Sequence, residues 1–321
     1  MINVGNQNNY SLLSYLGSKF TICHDVINYF PKHKIFVDAF GGAGNILINK
    51  PRSQVEIYND VYNEVVNLFE VIRSKELCQA LFKAVKRTPY AEIEYINAYN
   101  NDDTTDKVEK ARRLLIRSNF SFHPSGVFAK NSFRFAPQKN LTKGSGNSKW
   151  KKLPAKIAEL HNRFTGVTIT NKSALDFLKS KHFNRSDCLI YCDPPYVNDV
   201  SKTSNEYEHN FTDDQHAELM ELASNTEAMV AVSSYKNDIY EKYLLSGKGW
   251  RRIDIMMPYT FNATSKRSEI LEKRQITECL YLNRPLINAY EFEFNNRFEK
   301  RKGDLIELTE KINAGKLLKI I

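Results

Sequence analysis

The stretch KIFVDAFGGAGNILINKPRSQVEIYND, residues 34–60, decides the fold. Ile35-Phe36-Val37-Asp38 is a short apolar strand, Phe40-Gly41-Gly42-Ala43-Gly44 is a glycine turn, a short helix follows, and Val55 to Asp60 makes a second strand. Strand, turn, helix and strand in that order form a parallel βαβ unit. Similar apolar strands recur at Val167–Thr170, Leu189–Cys192, Met229–Ser233, Arg252–Met256 and Thr277–Leu282, with helical stretches such as Asp213–Ala223 between several of them. The chain therefore reads as an α/β protein. From about Lys86 to Arg163 the alternation stops, giving way to a charged helix (Thr105–Ser118) and then an aromatic region bearing glycine and lysine. That pattern predicts one α/β domain built from residues 1–85 and 164–321, interrupted by an inserted domain at 86–163. A further helix is expected near Asp304–Ile312 in the charged C-terminal stretch.

With 321 residues, 42% of them apolar, the chain can bury a large core. It has no run approaching the roughly 20 apolar residues of a membrane span, and it begins without a basic-then-apolar leader. A soluble, cytoplasmic, bacterial or phage-encoded protein with no membrane partner is expected. Five scattered cysteines without a Cys-x-x-Cys pair predict neither a disulfide framework nor a metal site, and Cys188 and Cys192 read as core filler.

Net charge is +9, and it is concentrated. Lys130, Arg134, Lys139, Lys143, Lys149, Lys151, Lys152, Lys156 and Arg163 face a single acid, Glu159, within one 34-residue window, which leaves the rest of the chain nearly neutral. Phe133, Phe135 and Trp150 interleave these charges. Basic residues mixed with aromatics are the footprint of a phosphate backbone, although a solvated loop gives the same composition around Thr142–Ser148.

The glycine turn lets a ligand approach the backbone where a helix begins. It fails the dinucleotide spacing, because the residue three after Gly44 is Leu47. Asp38, just before the turn, repels a pyrophosphate but accepts from an ammonium group. Asp60 closes the second strand at the position of a ribose-binding carboxylate, and Asn59-Asp60 also suits the cap of a following helix, Val61–Ile72. A ribose acceptor and an ammonium acceptor without a phosphate grip suit an aminoacyl nucleoside.

Asp193-Pro194-Pro195-Tyr196 follows the apolar strand Cys188–Cys192. Neither proline has an N–H, and both fix φ, so this loop offers stiff, unclaimed carbonyl acceptors. A carboxylate, a free carbonyl and an aromatic ring together suit a planar amine: two acceptors for its hydrogens and a ring for its face. A strand-ending turn is the plainer reading of the same residues.

Taken in order, these motifs resemble the Dam-like DNA adenine-specific (N6) methyltransferases, in which the cofactor motif precedes the target-recognition domain and Asp-Pro-Pro-Tyr comes last. Tyr15-Leu16-Gly17-Ser18-Lys19 is similar to the family's N-terminal motif, and the resemblance spans residues 10 to 283. It implies a Rossmann-like class I methyltransferase sheet with an inserted, mostly helical target-recognition domain, S-adenosyl-L-methionine as cofactor and double-stranded DNA as partner, with base flipping. A separately encoded restriction endonuclease is a possible further partner by the same resemblance. Tyr15, Lys19, Asp38, Phe40, Gly42, Gly44, Asp60, Ser173 and Asp193 are implied to line the cofactor site, with Asp193, Pro194, Pro195 and Tyr196 as the catalytic loop. Phe211 and His216 stand where such enzymes carry a Phe and a His; a helix-start and core role fits both equally.

DNA contacts are expected from Arg117, Asn119, Phe120, Phe122, Lys130, Arg134, Lys139, Lys143 and Lys149. Phe120 or Phe122 is either a wedge that enters the base stack or a buried ring of the insert. Where relatives with tetranucleotide preferences carry an Arg-Thr-Cys-Tyr-Asn-Gly-like run, this chain has Arg117-Ser118-Asn119-Phe120-Ser121-Phe122, so no target sequence transfers. Four alternatives remain at this stage: a cytosine N4 methyltransferase, a methyltransferase acting on adenine in RNA, a catalytically silent cofactor-sensing or DNA-binding subunit, and a nicotinamide oxidoreductase, which the glycine spacing disfavours.

Overall fold

In the computed structural model the described residues are 10–100, 104–135, 146–197, 211–256 and 277–296. In chain order they form α1 (Cys23–Ile27), β1 (Ile35–Asp38), α2 (Asn45–Asn49), β2 (Val55–Asn59), α3 (Asn63–Arg73), α4 (Lys75–Arg87), α5 (Glu92–Asn97), α6 (Lys107–Phe120), a 3-10 turn (Pro124–Val127) and α7 (Gly146–Phe164). Then follow β3 (Thr168–Thr170), α8 (Ala174–Lys179), β4 (Cys188–Cys192), α9 (Asp213–Ser224), β5 (Met229–Ser234), α10 (Asp238–Leu244), β6 (Arg251–Met256) and β7 (Thr277–Leu282). A final helix occupies 284–296. The helix expected near Asp304–Ile312 lies outside the described residues.

The strands form one seven-stranded sheet in the order β3-β2-β1-β4-β5-β7-β6. All pairings from β3 to β5 are parallel, whereas β7 runs antiparallel to both β5 and β6. This is the Rossmann-like methyltransferase sheet expected from the sequence. Alternation along the inner strands explains why both faces are covered. Phe36, Leu189, Tyr191, Met229 and Ala231 face the layer of α1–α4, α6 and α7, while Val37, Ile190, Cys192, Val230 and Val232 face α8–α10.

Turn chemistry at the end of β1 is strict. A Cβ on Gly41 would lie 2.2 Å from the ring of Tyr58, and Gly42 and Gly44 adopt φ of +48° and +68°. Only glycine fits the first position without moving a buried ring, and the other two favour it strongly.

Residues 86–163 are mostly helical, and they share a core with the sheet layer. Tyr95, Leu114, Leu115, Phe120, Trp150 and Ile157 belong to the same apolar cluster as Val65, Phe69, Leu81 and Val85. Trp150 Nε1 donates to the Thr88 carbonyl at 2.9 Å, tying the start of α7 to the end of α4. The far end of α7 continues past residue 163, stacks Phe164 on Phe69 at 4.6 Å, and anchors Arg163 on the buried Glu56 that also pairs with Lys50.

Candidate active site

A cavity of about 620 Å³ opens at the carboxyl ends of β1, β2 and β4, the edge where open parallel sheets bind ligands. In-register pairing sets Asp38 beside both Tyr58 and Tyr191, so the turns after these three strands converge there. Asp38, Phe40, Gly42, Asp60, Ser173 and Asp193 all line it, as do Tyr15 and Lys19 from the N-terminal loop and Pro194, Pro195 and Tyr196. Gly44 does not line it. Its left-handed conformation starts α2, and a Cβ there would meet Phe69 and Ile48 of the core, so its role is the turn rather than the ligand wall.

Around the glycine turn the backbone is fixed by side chains. Asp60 Oδ2 accepts the Gly42 N–H at 2.7 Å and Oδ1 accepts the Tyr62 N–H at 2.7 Å, so the carboxylate both holds the turn and receives the chain entering α3. Tyr58 Oη donates to the Gly42 carbonyl at 2.7 Å, and the Tyr15 ring lies beside the Cα of Gly42. Asp38 is buried, and its carboxyl is held well above the ordinary range, first by burial and then by the charges of Asp193 and Asp60.

The Asp193 loop meets a buried cation. Lys19 Nζ donates to Asp193 Oδ1 at 2.6 Å, to the Gly17 carbonyl at 3.2 Å and to Tyr196 Oη at 2.5 Å. Tyr196 Oη donates to Glu278 Oε1 at 2.5 Å, and Glu278 lies 3.6 Å from the Lys19 ammonium. Burial pushes the Asp193 carboxyl up to about 6; Lys19 opposes the rise and Glu278 adds to it. Burial alone lowers the Lys19 pKa, but Asp193 and Glu278 outweigh it and leave the ammonium more basic than usual. Tyr196 stands edge-on to Tyr235, ring centroids 4.5 Å apart.

Phe211 packs edge-on against Phe40 at 5.3 Å and against His216 at 4.8 Å. His216 is fully buried, its Nδ1 is 2.7 Å from Tyr240 Oη, and burial lowers its pKa to about 4. It is a neutral core histidine beneath the Asp193 loop.

A family profile described as D12 class N6 adenine-specific DNA methyltransferase matches residues 15–258. The chain belongs to that family. It is 26% identical over 227 residues to the DNA adenine methylase of Escherichia coli (strain K12), covering 67% of this chain and 76% of that one. The Haemophilus influenzae DNA adenine methylase is 26% identical over 196 residues, 58% of this chain and 63% of its own. Modification methylase LlaI of Lactococcus lactis is 26% identical over 203 residues, 60% of this chain and 30% of its own.

This D12 methyltransferase is thus an enzyme that methylates adenine in DNA at N6, which decides against the cytosine, RNA, sensor and oxidoreductase alternatives. Among its described residues no His, Cys, Asp and Glu cluster has metal-holding geometry, and no helix is long and apolar enough to cross a membrane. All five cysteines are free and buried.

Several residues expected at the DNA are used otherwise. Phe120 is fully buried among Tyr90, Phe133 and Trp150, so it is a core ring of the insert and not a wedge. Asn119 donates to the Leu12 and Leu115 carbonyls, and Arg117 pairs with Glu64 beneath the Tyr99 ring. Phe122 is 70% exposed, and Lys130 and Lys149 are exposed as well. Arg134 donates to the Phe122 carbonyl at 3.1 Å. Lys139 and Lys143 lie outside the described residues.

Among the wall residues that sequence reasoning did not single out are Phe128, Tyr62 and Tyr235, and Glu278, buried behind the wall, was missed as well. A carboxylate inside the otherwise apolar strand Thr277–Leu282 was a readable signal for the last. Phe128 had none, since it packs on Tyr15 and Tyr62 from across the fold, at 5.2 and 5.3 Å.

Proposed function

We propose that this enzyme takes its methyl group from S-adenosyl-L-methionine and acts on an adenine extruded from double-stranded DNA into the cavity beside Asp193. The observation that carries the reading is the meeting of Asp38, Gly42, Asp60 and Asp193 in one 620 Å³ cavity. That volume suits a nucleoside-sized ligand. The residues also fit the group chemically. Asp38, Asp60 and Asp193 crowd carboxylates into one site, where burial first and the neighbouring carboxylates second raise the Asp38 pKa, and a ligand carrying ammonium and sulfonium groups suits that negative wall. A side chain at Gly42 would press on Tyr15 within 3.2 Å, so the bare turn leaves the ligand its room. When bound, the cofactor supplies an electrophilic methyl group on sulfur.

Asp60 is the acceptor for the ribose hydroxyls, Asp38 faces the ammonium end, and Tyr15, Phe40, Lys19 and Ser173 complete the wall. Adenine's exocyclic amine is a poor nucleophile because its lone pair is delocalised into the ring. Asp193 and the Pro194 carbonyl accept its two hydrogens, draw the nitrogen toward tetrahedral geometry and free the lone pair. With its pKa pushed up to about 6, Asp193 is a stronger base than an ordinary carboxylate and takes the proton that the amine sheds. Tyr196 offers its ring to the base and to the positive charge that develops on nitrogen, while Pro195 keeps the loop stiff.

Extruding the base costs a few kcal/mol of pairing and stacking. Segment 86–163, as the target-recognition domain, supplies that energy: Lys130, Lys149 and the other basic residues of the 130–163 window grip phosphates, and Phe122 reaches the stack. The cell compartment is the cytoplasm, with the nucleoid as substrate. A separately encoded restriction endonuclease is the partner if the enzyme belongs to a modification system, as the name of the Lactococcus lactis relative suggests.

The test is equilibrium binding and turnover in parallel. Wild-type protein should bind S-adenosyl-L-methionine with one site, Asp60→Ala should weaken that binding, and Asp193→Ala should bind DNA but not methylate it. Turnover by Asp193→Ala, or cofactor affinity unchanged in Asp60→Ala, would refute the assignment.

A further inference from the structure

Glu278 comes from β7, the antiparallel strand that follows β6 in sequence and pairs with β5. Its carboxylate is buried, accepts the Tyr196 hydroxyl at 2.5 Å and lies 3.6 Å from Lys19 Nζ. Burying a carboxylate costs several kcal/mol unless partners neutralise it. The partners here are the aromatic residue of the Asp193 loop and the cation that holds Asp193 itself. The strand does not need the carboxylate for its ladder, because β7 pairs through its backbone on both sides.

We propose that Glu278 is a positioning residue for methyl transfer: it fixes the Tyr196 ring through the phenol and shares the Lys19 ammonium, leaving Asp193 an effective acceptor for the adenine amine. This rests on the role given to Asp193 above. An ammonium committed wholly to Asp193 would compete with the amine for the same oxygens. Divided between two carboxylates, it competes less, and the Asp193–Lys19–Glu278 trio keeps one net negative charge. The groups facing Asp193 are Lys19 from the N-terminal loop, Asp38 from β1, Tyr191 and Cys192 from β4, Tyr196 from its own loop, Tyr240 from α10 and Glu278 from β7. Glu278 is the like charge among them that raises the Asp193 pKa most.

Kinetics of the full chain with S-adenosyl-L-methionine and duplex DNA test this. Glu278→Gln should lower kcat by about 10-fold, the scale of a misplaced reacting group, with little change in KM for the cofactor. It should also move the acid limb of kcat/KM below its wild-type position. Tyr196→Phe should lower kcat comparably and move the limb the opposite way, upward, because it removes the hydrogen bond from Tyr196 Oη to Asp193 Oδ1 at 3.4 Å that holds the Asp193 pKa down. In the double variant the two losses should be less than additive, since Tyr196→Phe already removes the phenol through which the Glu278 carboxylate fixes the ring. Wild-type kcat with an unmoved limb in Glu278→Gln, or additive losses in the double variant, overturns the proposal. Should Glu278→Gln fail to fold by thermal melt, Glu278→Asp, which draws the carboxylate back from the Tyr196 hydroxyl, decides: undiminished kcat overturns the proposal, and reduced kcat with unchanged cofactor KM in a folded protein upholds it. Turnover by Asp193→Ala would instead overturn the role of Asp193, while inactive Asp193→Ala beside fully active Glu278→Gln would overturn only the role of Glu278.

Discussion

Lys19 Nζ lies 2.6 Å from Asp193 Oδ1, joining residues 174 positions apart in the chain. The N-terminal loop thereby closes over the carboxyl ends of β1 and β4 and brings a buried cation to the Asp193 loop. Removing only the cation leaves the buried Glu278 and the part-buried Asp193 with a partner missing, an arrangement that destabilises the fold. Lys19→Ala is therefore expected to lower the melting temperature as well as activity, and Lys19→Arg to restore part of the stability. A melt unchanged in Lys19→Ala would contradict the pairing.

In the proposed transfer, Asp193 can take up the amine's proton only when it is ionised. Its pKa is raised from the ordinary carboxylate range to about 6, so the acceptor is largely protonated at pH 5 and ionised at pH 8. For the free enzyme, kcat/KM should climb with pH through about 6 and then level off. Asp193→Asn, which does not titrate, should abolish that climb along with most of the rate.

Phe128 lies in segment 86–163 yet lines the cavity and packs on Tyr15 and Tyr62. Phe128→Ala should raise the cofactor dissociation constant by about 10-fold, the equivalent of an aromatic contact worth about 1.5 kcal/mol. Calorimetric titration in the absence of DNA measures it; an unchanged constant would remove the insert from the cofactor site.

Two phenylalanines two residues apart should behave oppositely. Phe120 is fully buried, and Phe120→Ala is expected to cost about 3–5 kcal/mol of stability. Phe122 is 70% exposed, so Phe122→Ala should fold normally and lose base extrusion, read by a fluorescent base analogue. Equal melting temperatures for the two variants would contradict the burial.

Lys130 and Lys149 are exposed on the insert. Each, changed to Ala, should weaken DNA binding evenly across sequences and flatten the dependence of log K on log salt by about one unit. A loss confined to one DNA sequence would mean base reading instead.

Strands and the glycine turn were legible because their causes are local: apolar runs of four to six residues, and a backbone that tolerates φ above zero only at glycine. Register, set by pairing across the sheet, was not legible, yet it is what carries Asp38, Asp60 and Asp193 to one edge. In the insert, the composition around residues 117–122 suggested DNA contacts, whereas packing claims Phe120 for the core and turns the amide of Asn119 back to Leu12. Sequence gives no depth for a ring on a helix whose partner, Trp150, lies thirty residues away. Glu278 shows the converse, a carboxylate in an apolar strand whose meaning emerged only with Tyr196 and Lys19 beside it.

The most direct measurement is nucleoside analysis of mixed-sequence duplex DNA after incubation with methyl-labelled S-adenosyl-L-methionine and either wild-type enzyme or Asp193→Ala. Label should appear in N6-methyladenine alone with the wild type. It should fall by a factor of about 10³ or more with Asp193→Ala while DNA affinity is retained. Label in N4-methylcytosine, or undiminished incorporation by Asp193→Ala, would contradict the account.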